Sequence, residues 1–334
     1  MPLSLSAHQT DAADSDKARP RISRWPEGKA AAVSLRFDDN LDSHVRTVIP
    51  LLNRFGMKGT FMVSPGRSTF TPQRDFWLDS VPGMGHELGN HTMHHRGAKT
   101  LAEAEYEIGE AARIIRERYP HRSPLVVFAS GGGKYWGGKR WSQVDGPMKN
   151  LAVKHHLIDL YDGSHPYIGG DSKENAQSLS RYVEDSMGTG THRTFTFHQI
   201  GSPRWRDLVH KVLKGRSLSF PAEEFENLLA YLDTVRDNVW IAPLGDVLKY
   251  EAEYNASSLA GFQAGPGGYS FELAVETTQF LYDHDLTIRL PVNGEETIQV
   301  MQNGDPVARV LRRRGDTLVN LKPVSSQIVV RNLQ

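Results

Sequence analysis

The stretch Gly85-His86-Glu87-Leu88-Gly89-Asn90-His91-Thr92-Met93-His94-His95 joins a short strand pattern to a His-x-x-x-His pair. Far upstream, Arg36-Phe37-Asp38-Asp39 closes another apolar run that begins at Ala30. Two imidazoles and a carboxylate from another strand end form the ligand set that a divalent cation with an open coordination position needs. The two stretches therefore predict a sheet whose strand ends carry polar groups and a metal centre at that edge.

Each part of this pattern also has a simpler explanation. A His-x-x-x-His pair alone is typical of a solvated helix face, and an acid after a strand is often the N-cap of the next helix. A single histidine after an apolar strand, such as His198, is more often a structural residue. The combination of the parts favours a functional site.

Further along the chain, apolar runs alternate with helical patterns over about 220 residues. Strands are predicted at 30–37, 59–63, 87–91, 124–128, 157–160, 194–197 and 239–242. The clearest helix follows Thr100 and Glu103, which have the spacing of a capping box. This alternation predicts a parallel α/β architecture, barrel-like or doubly wound, with its function at the strand ends.

Past residue 255 the sequence pattern changes to glycine-rich turns and to strict alternation of apolar and polar residues. An Asn303-Gly304 pair indicates a hairpin there, and Gly265-Pro266-Gly267-Gly268 is interpreted as a linker. The predicted organisation is a polar tail at 1–28, an α/β domain at 29–255 and a β-sandwich-like accessory domain at 256–334.

Composition excludes several classes of site. The 334 residues include 39 acidic and 39 basic side chains, and no long basic run predicts a nucleic-acid surface, so a neutral glycan suits the charge balance. Cysteine is absent, so disulfides and thiolate ligands are excluded. No apolar run reaches the roughly 20 residues of a membrane span. Residues 1–20 lack the pattern of an intact signal peptide. Oligomeric state is left open.

The predicted metal ligands are Asp39, His91 and His95, which leave positions for water and a substrate oxygen. Zn²⁺ is the first choice for imidazole and carboxylate ligands, and Co²⁺, Ni²⁺ or Mn²⁺ also suit them. A cation there makes bound water acidic at neutral pH. Asp38, next to a ligand, is the predicted general base, and His198 the predicted acid for the leaving group.

These residues resemble those of a known family. Phe37-Asp38-Asp39, the His91-Thr92-x-x-His95 motif and His198 are similar to the motifs of polysaccharide deacetylases of the NodB homology type, carbohydrate esterase family 4. The resemblance covers about residues 29–250. It implies a distorted (β/α) barrel and metal-dependent removal of acetyl groups from glycans. The small all-β domain at the carboxyl end lies outside the resemblance. The resemblance also implies the roles given above for these residues and favours a secreted or periplasmic location.

The chain departs from the family pattern at one motif. The family usually places an Arg-x-Pro motif after the fourth strand, where the Arg orients the catalytic Asp. This chain has Phe128-Ala129-Ser130-Gly131-Gly132 instead. Strand alternation puts the side chains of Arg36 and Asp38 on one face, so Arg36 is the predicted substitute. The alternative is that Arg36 extends out of the barrel end into solvent.

Other residues are weaker candidates. Gly132, in a run of three glycines, is a candidate for donating a backbone N–H to an oxyanion, or it belongs to a tight turn. Tyr135 and Trp136, with Trp141, are candidates for stacking on sugar rings, although aromatic residues are more often packing. Asp159-x-x-Asp162 has the spacing of another family motif without its Trp.

The sequence predicts a metal-dependent hydrolase that removes acetyl groups from an acetylated poly- or oligosaccharide. One alternative is a catalytically silent glycan-binding protein, because the motif Arg is missing. The other is an amidohydrolase that acts on a small cyclic amide in a deep, closed site.

Overall fold

The computed structural model describes residues 19–118, 123–131, 135–161, 167–170, 173–202, 209, 212–213, 218–278, 280–292, 296–307 and 309–333. Residues 30–248 form one compact unit. The described residues up to 29 and from 249 onwards form the other. No helix among the described residues has the length and apolar character to cross a bilayer.

The first unit is built on one parallel sheet. Its strands are β1 Ala31–Asp38, β2 Thr60–Val63, β3 Glu87–Asn90, β4 Val126–Phe128, β5 Leu157–Asp159, β6 Tyr167–Gly170, β7 His192–Phe197 and β8 Val239–Ile241. They pair in the order β5-β4-β3-β2-β1-β7-β6, and β8 pairs with the first half of β1. This is the predicted distorted (β/α) barrel. All seven predicted strands are present within two residues of their bounds, and β6 was missed.

Helices connect and cover these strands. The helical segments are His44–Val48, Ile49–Arg54, Thr71–Gln73, Phe76–Ser80, Val81–Gly83, Leu101–Glu105, Tyr106–Glu110, Ala111–Arg116, Trp141–Gln143, Gly146–Lys149, Leu151–Lys154, Ala176–Thr189, Ala222–Val235 and Leu244–Asn255. Two further short strands, Gln199–Ile200 and Ser219–Phe220, pair in parallel. The Thr100 hydroxyl accepts from the Glu103 amide as predicted, but the Glu103 carboxylate accepts from Lys99 N rather than closing the box on Thr100.

The hydrophobic core of this unit packs against β1 and includes Val33, Leu35 and Phe37. Every residue of β1 is buried, and alternation puts Phe37 on the face opposite Arg36 and Asp38. The Phe37 ring centroid lies 5.0 Å from that of Phe61 and 5.7 Å from that of Phe197. Aromatic packing therefore fixes the strand that carries the two acids.

The second unit consists mainly of β-strands. Its helical residues are Pro26–Gly28 and the last turns of the helix that ends at Asn255. Its strands are Arg21–Ile22, Ser257–Gly265, Gly268–Val275, Leu286–Leu290, Ile298–Gln302, Asp305–Pro306, Val310–Arg313, Asp316–Leu321 and Ser326–Asn332, with a short helix at Pro26–Gly28. They form a four-stranded and a five-stranded antiparallel sheet. The predicted small all-β domain is therefore present.

Its boundaries differ from the predicted ones. Arg21–Ile22 pairs with Leu286–Leu290, so residues 21–22 belong to a sheet rather than to a polar tail. Residues 1–18 of the predicted tail lie outside the described residues. The predicted linker is wrong, because Gly265 pairs with Gly268 across a tight hairpin turn. The Asn303-Gly304 hairpin is confirmed, with Gln302 opposite Asp305.

Candidate metal centre

The sheet register brings the predicted site residues to one edge. Asp38 lies opposite Met62 of β2, and Val63 of β2 lies opposite Asn90 of β3. Asp39 and His91 are the next residues after β1 and β3, so both leave the sheet at its carboxyl edge. In parallel α/β barrels this edge carries the functional loops.

Asp39, His91 and His95 converge as predicted, with one possible ligand atom from each lying within 4.8 Å of the others. Asp39 Oδ1 lies 3.2 Å from His95 Nε2 and 3.8 Å from His91 Nε2. Ligand atoms about 2.1 Å from a tetrahedral Zn²⁺ are roughly 3.4 Å apart. The spacing of the three groups therefore fits one small divalent cation.

The imidazole of His91 is held in the form that binds a metal. Its Nδ1 lies 2.7 Å from the Ala129 carbonyl oxygen, which only a protonated Nδ1 can contact as a donor. The lone pair is then on Nε2, the atom that faces Asp39. Burial lowers the pKa of His91 to about 4, so the ring is neutral at pH 7.

The backbone at the centre is strained. Asp39, Thr92 and His95 are non-glycine residues with φ of 82°, 65° and 57°. Such conformations cost on the order of 1–3 kcal/mol each and persist only where surrounding contacts hold them. Asn90 Oδ1 accepts from Thr92 N at 2.8 Å, and Thr92 Oγ1 accepts from His95 N at 3.0 Å. These two bonds hold the turn that carries both histidines.

A buried carboxylate supports the same turn from outside. Glu107 is 1% exposed and accepts from His94 N at 2.8 Å and from His94 Nδ1 at 2.7 Å. Arg96 Nε donates to it at 3.2 Å. His94 therefore contacts Glu107 and lies outside the ligand set.

Gly131, in the segment after β4, lies against the turn that carries both histidines. A Cβ atom on Gly131 would lie 2.7 Å from His95 Cδ2 and 2.9 Å from the His91 carbonyl oxygen. Only glycine fits at this distance. The Trp136 indole N–H donates to the Gly131 carbonyl at 2.9 Å and fixes the segment.

Arg36 lies where strand alternation predicts it. Its Nε and Nη2 donate to the two carboxylate oxygens of Asp38, each at 2.7 Å, and both side chains are buried. Burial alone would raise the pKa of Asp38, but the Arg36 charge, aided by His91 and His198, lowers it below the usual value. Arg36 also bonds to Tyr161, a residue that the sequence interpretation did not single out. The idea that Arg36 extends into solvent is wrong.

His198 follows β7 and interacts electrostatically with both Asp38 and Asp39. Its backbone is held by His44, another residue not predicted. His44 Nδ1 accepts from Leu41 N at 3.2 Å, so His44 Nε2 carries the proton and donates to the His198 carbonyl at 2.6 Å. Burial lowers the pKa of His44 to about 4, so the ring is neutral at pH 7 and keeps its single proton on Nε2 for this bond.

Arg67 is the principal site residue that sequence reasoning missed. Its Nη1 lies 2.7 Å from Asp39 Oδ1, the oxygen that also faces both histidines. Burial opposes the ionisation of Asp39, but His91, His95, His198 and Arg67 together lower its pKa to about 2. No periodic pattern marks Arg67, since it lies in a loop after β2.

The remaining candidates have different outcomes. Trp136 and Trp141 are each 1% exposed and edge-packed at 5.0 Å, so the prediction that they stack on sugars is wrong. Tyr135 is 69% exposed and stays a candidate. Asp159 accepts a hydrogen bond from the Trp141 indole N–H at 2.8 Å, a contact that holds the buried Trp141 in place. Gly132 and Asp162 lie outside the described residues.

Comparisons with known proteins agree with the motifs. A family model described as polysaccharide deacetylase matches residues 18–142. A curated gellan lyase from Bacillus sp is 21% identical over 307 residues, which cover 86% of this chain but only 12% of the length of that protein.

Three of the solved structures that are similar to this chain have low sequence identity to it. Peptidoglycan deacetylase PdaC from Bacillus subtilis is 17% identical, with a TM-score of 0.43 over 70% of this chain and 96% of that chain. Polysaccharide deacetylase Bc1974 from Bacillus cereus is 16% identical, with a TM-score of 0.40 over 64% and 91%. BA3943 from Bacillus anthracis, described as a CE4 family pseudoenzyme, is 13% identical, with a TM-score of 0.39 over 65% of each chain.

The family match over residues 18–142 confirms the resemblance carried by Phe37-Asp38-Asp39 and His91-Thr92-x-x-His95, and this part of the chain is similar to the polysaccharide deacetylases.

Proposed function

We propose that this chain is a metal-dependent hydrolase that removes acetyl groups from an acetylated poly- or oligosaccharide. The observation that carries the proposal is the convergence of Asp39, His91 and His95 beside an ion-paired Asp38. Those three side chains would hold a divalent cation, with Zn²⁺ the first choice and Co²⁺, Ni²⁺ or Mn²⁺ as alternatives. When bound, such a cation lowers the pKa of water and polarises a carbonyl.

The chain's own residues supply the proton transfers. Water adds to the acetyl carbon while Asp38 takes its proton, and the bond from that carbon to the sugar nitrogen or oxygen then breaks. The Arg36 pair keeps Asp38 ionised at neutral pH, the form that can accept a proton. His198, fixed through its carbonyl by His44, gives a proton to the departing amine or alcohol. Acetate and the deacetylated sugar are the products.

Acetate release tests this proposal. Substrates are acetylated xylan, chitin oligomers and acetylated gellan, the last because the curated relative is named for gellan. We expect release by the metal-loaded wild type, loss with a chelator and a fall of at least about 100-fold in Asp38→Asn. Asp79→Asn, a change at a half-exposed carboxylate paired with Arg118, is the control and should keep full activity. Equal rates in wild type and Asp38→Asn would refute the proposal.

A second candidate is a silent glycan-binding protein, favoured by the Arg67–Asp39 ion pair. Arg67 engages the same Asp39 oxygen that a cation would need. If Arg67 blocks the site, the wild type binds glycan but releases no acetate, and Arg67→Ala gains metal binding. If the first proposal holds, the wild type already binds metal and is active.

A further inference from the structure

A pocket of about 520 Å³ is lined by the segment that follows the candidate metal ligand His95. Its lining includes Arg96, Lys99, Glu103, Tyr135 and Gly138. Arg96 is the residue after the predicted ligand His95. Its lining therefore begins one residue along the chain from the candidate metal centre.

The walls of the pocket are joined by backbone hydrogen bonds. Ala98 N donates to the Tyr135 carbonyl at 3.1 Å, and Gly137 N donates to the Ala98 carbonyl at 2.8 Å. At Gly97, a Cβ atom would lie 2.9 Å from the Tyr135 carbonyl oxygen, so the two segments can approach this closely only with glycine. The pocket is thus preformed rather than assembled from loose side chains.

Its charge is more positive than that of the chain as a whole. Arg96 and Lys99 are exposed cations, and Arg96 keeps 68% exposure while its Nε is held by the buried Glu107. The acidic lining residue, Glu103, already accepts from Lys99 N through Oε2 at 2.7 Å. Two cations and one carboxylate therefore line the pocket, and the Glu107 carboxylate that pairs with Arg96 is buried and is not part of the lining.

Tyr135 adds an exposed aromatic ring to the same pocket. Its side chain is 69% exposed, whereas its neighbour Trp136 is buried. An exposed ring offers an apolar face and a hydroxyl, a combination that suits a sugar ring with both C–H and polar edges. A cationic pair beside such a ring matches a sugar that carries an anionic group.

We propose that this pocket is a subsite for a sugar unit bearing a carboxylate, so that the substrate class is an acidic acetylated glycan. Arg96 and Lys99 bind the carboxylate, and Tyr135 stacks on the sugar ring. This inference rests on the proposed function for the neighbouring site. It replaces the neutral glycan that the balanced overall charge favoured.

Binding of a matched pair of probes tests the subsite without requiring catalysis. The probes are oligogalacturonate and the same oligomer with its carboxylates reduced to alcohols, titrated calorimetrically into the full-length protein at low salt. We expect wild type to bind the acidic probe about tenfold more tightly, because two exposed charge contacts are each worth somewhat under 1 kcal/mol. The preference should shrink at high salt.

Variants assign the preference to this pocket. Arg96→Ala with Lys99→Ala should equalise the two affinities, whereas Tyr135→Ala should weaken both equally. Arg54→Ala with Lys154→Ala changes the net charge by the same amount at exposed positions outside the pocket and should keep the preference. Equal binding of both probes by wild type, or a preference that survives Arg96→Ala with Lys99→Ala, would overturn the inference.

Acetate release separates this inference from the proposed function. A protein that deacetylates neutral and acidic glycans at equal rates retains the proposed function and loses the subsite. A protein that prefers the acidic probe but releases no acetate retains the subsite and loses the proposed function.

Discussion

The Arg36–Asp38 ion pair is the interaction at the scale of single residues on which the site most depends. Both side chains are almost fully buried, and two hydrogen bonds of 2.7 Å join them. A buried pair of this kind contributes little net stability as a unit, but the loss of one partner leaves an uncompensated charge.

Arg36→Met should therefore destabilise the chain by about 3–5 kcal/mol, because it leaves Asp38 buried and unpaired. Adding Asp38→Asn to Arg36→Met should recover part of that loss. The measurement is a double-mutant cycle of unfolding free energies by chemical denaturation. Arg54→Met, at an exposed pair with Glu226, is the control and should cost less than about 1 kcal/mol. A cost for Arg36→Met as small as that of the control would contradict this account of the pair.

The sequence predicts some of these residues better than others. Arg36 follows from the two-residue period of a strand, and the neighbouring Asp38 and Asp39 follow from their position at its end. Arg67 and His44 do not, because their contacts with Asp39 and the His198 carbonyl join segments that are far apart in the chain. Only the folded structure brings such partners together.

Gly131 is the residue that matters most at the scale of elements. The segment after β4 passes so close to the histidine turn that a methyl group would lie 2.7 Å from His95 Cδ2. The spacing of the two elements is therefore set by a missing side chain rather than by a contact that a motif would reveal.

Gly131→Ala should push His95 away from Asp39 and lower metal affinity by about 10- to 100-fold, as loss of ligand orientation does elsewhere. Gly188→Ala is the matched control, since nothing lies within 4 Å of its added Cβ in the helix Ala176–Thr189. It should stabilise the chain by about 0.5–1 kcal/mol and leave metal affinity unchanged. Unchanged metal affinity in Gly131→Ala would show that the close approach does not position His95.

Periodicity predicts elements more reliably than it predicts connections. The stretches that form β1, β2 and β4 are mainly apolar and fully buried, so the existence of these strands follows from sequence. Glycine and proline, which make up the segment from Gly265 to Gly268, are typical of linkers and of tight turns alike. Only the pairing of Gly265 with Gly268 in the structure identifies the segment as a turn. Trp136 and Trp141 likewise carry no sequence signal that separates packing from exposure.

At the scale of the whole molecule, the boundaries between the two units depend on strand pairing that no sequence pattern reveals. Arg21–Ile22 joins a sheet with Leu286–Leu290, more than 260 residues away, as Arg21 pairs with Arg289. A polar composition before residue 29 is thus compatible with an ordered strand. The unit that contains this strand also buries an acid.

Glu253 should give the chain a pH-dependent stability. Its side chain is 0% exposed, and burial is the main reason why its pKa is raised to about 8. The His284 amide and Lys249 act in the opposite direction and lower the pKa. Asp283 and Asp285 add to the increase. A folded-state pKa above the unfolded value means that stability is complete below about pH 4.5 and falls as pH rises towards about 8. Glu253→Gln should match wild type near pH 5 and be the more stable protein near pH 8.

Thermal unfolding across this pH range is the measurement. Glu272→Gln, at an exposed position of the strand Gly268–Val275, is the control and should follow the wild-type pH profile. If Glu253→Gln and wild type lose stability in parallel between pH 5 and pH 8, the buried carboxyl group is not the cause.

The central claim is that Asp39, His91 and His95 hold one divalent cation. Calorimetric titration of Zn²⁺ and Co²⁺ into metal-free wild type, Asp39→Asn, His91→Gln and the control His284→Gln, which changes a histidine of the other unit, tests it most directly. The account predicts one cation per chain for wild type and for His284→Gln, with affinity lower by more than about 100-fold in the other two variants. Wild type that binds no cation, or ligand variants that bind it as tightly as wild type, would contradict the claim.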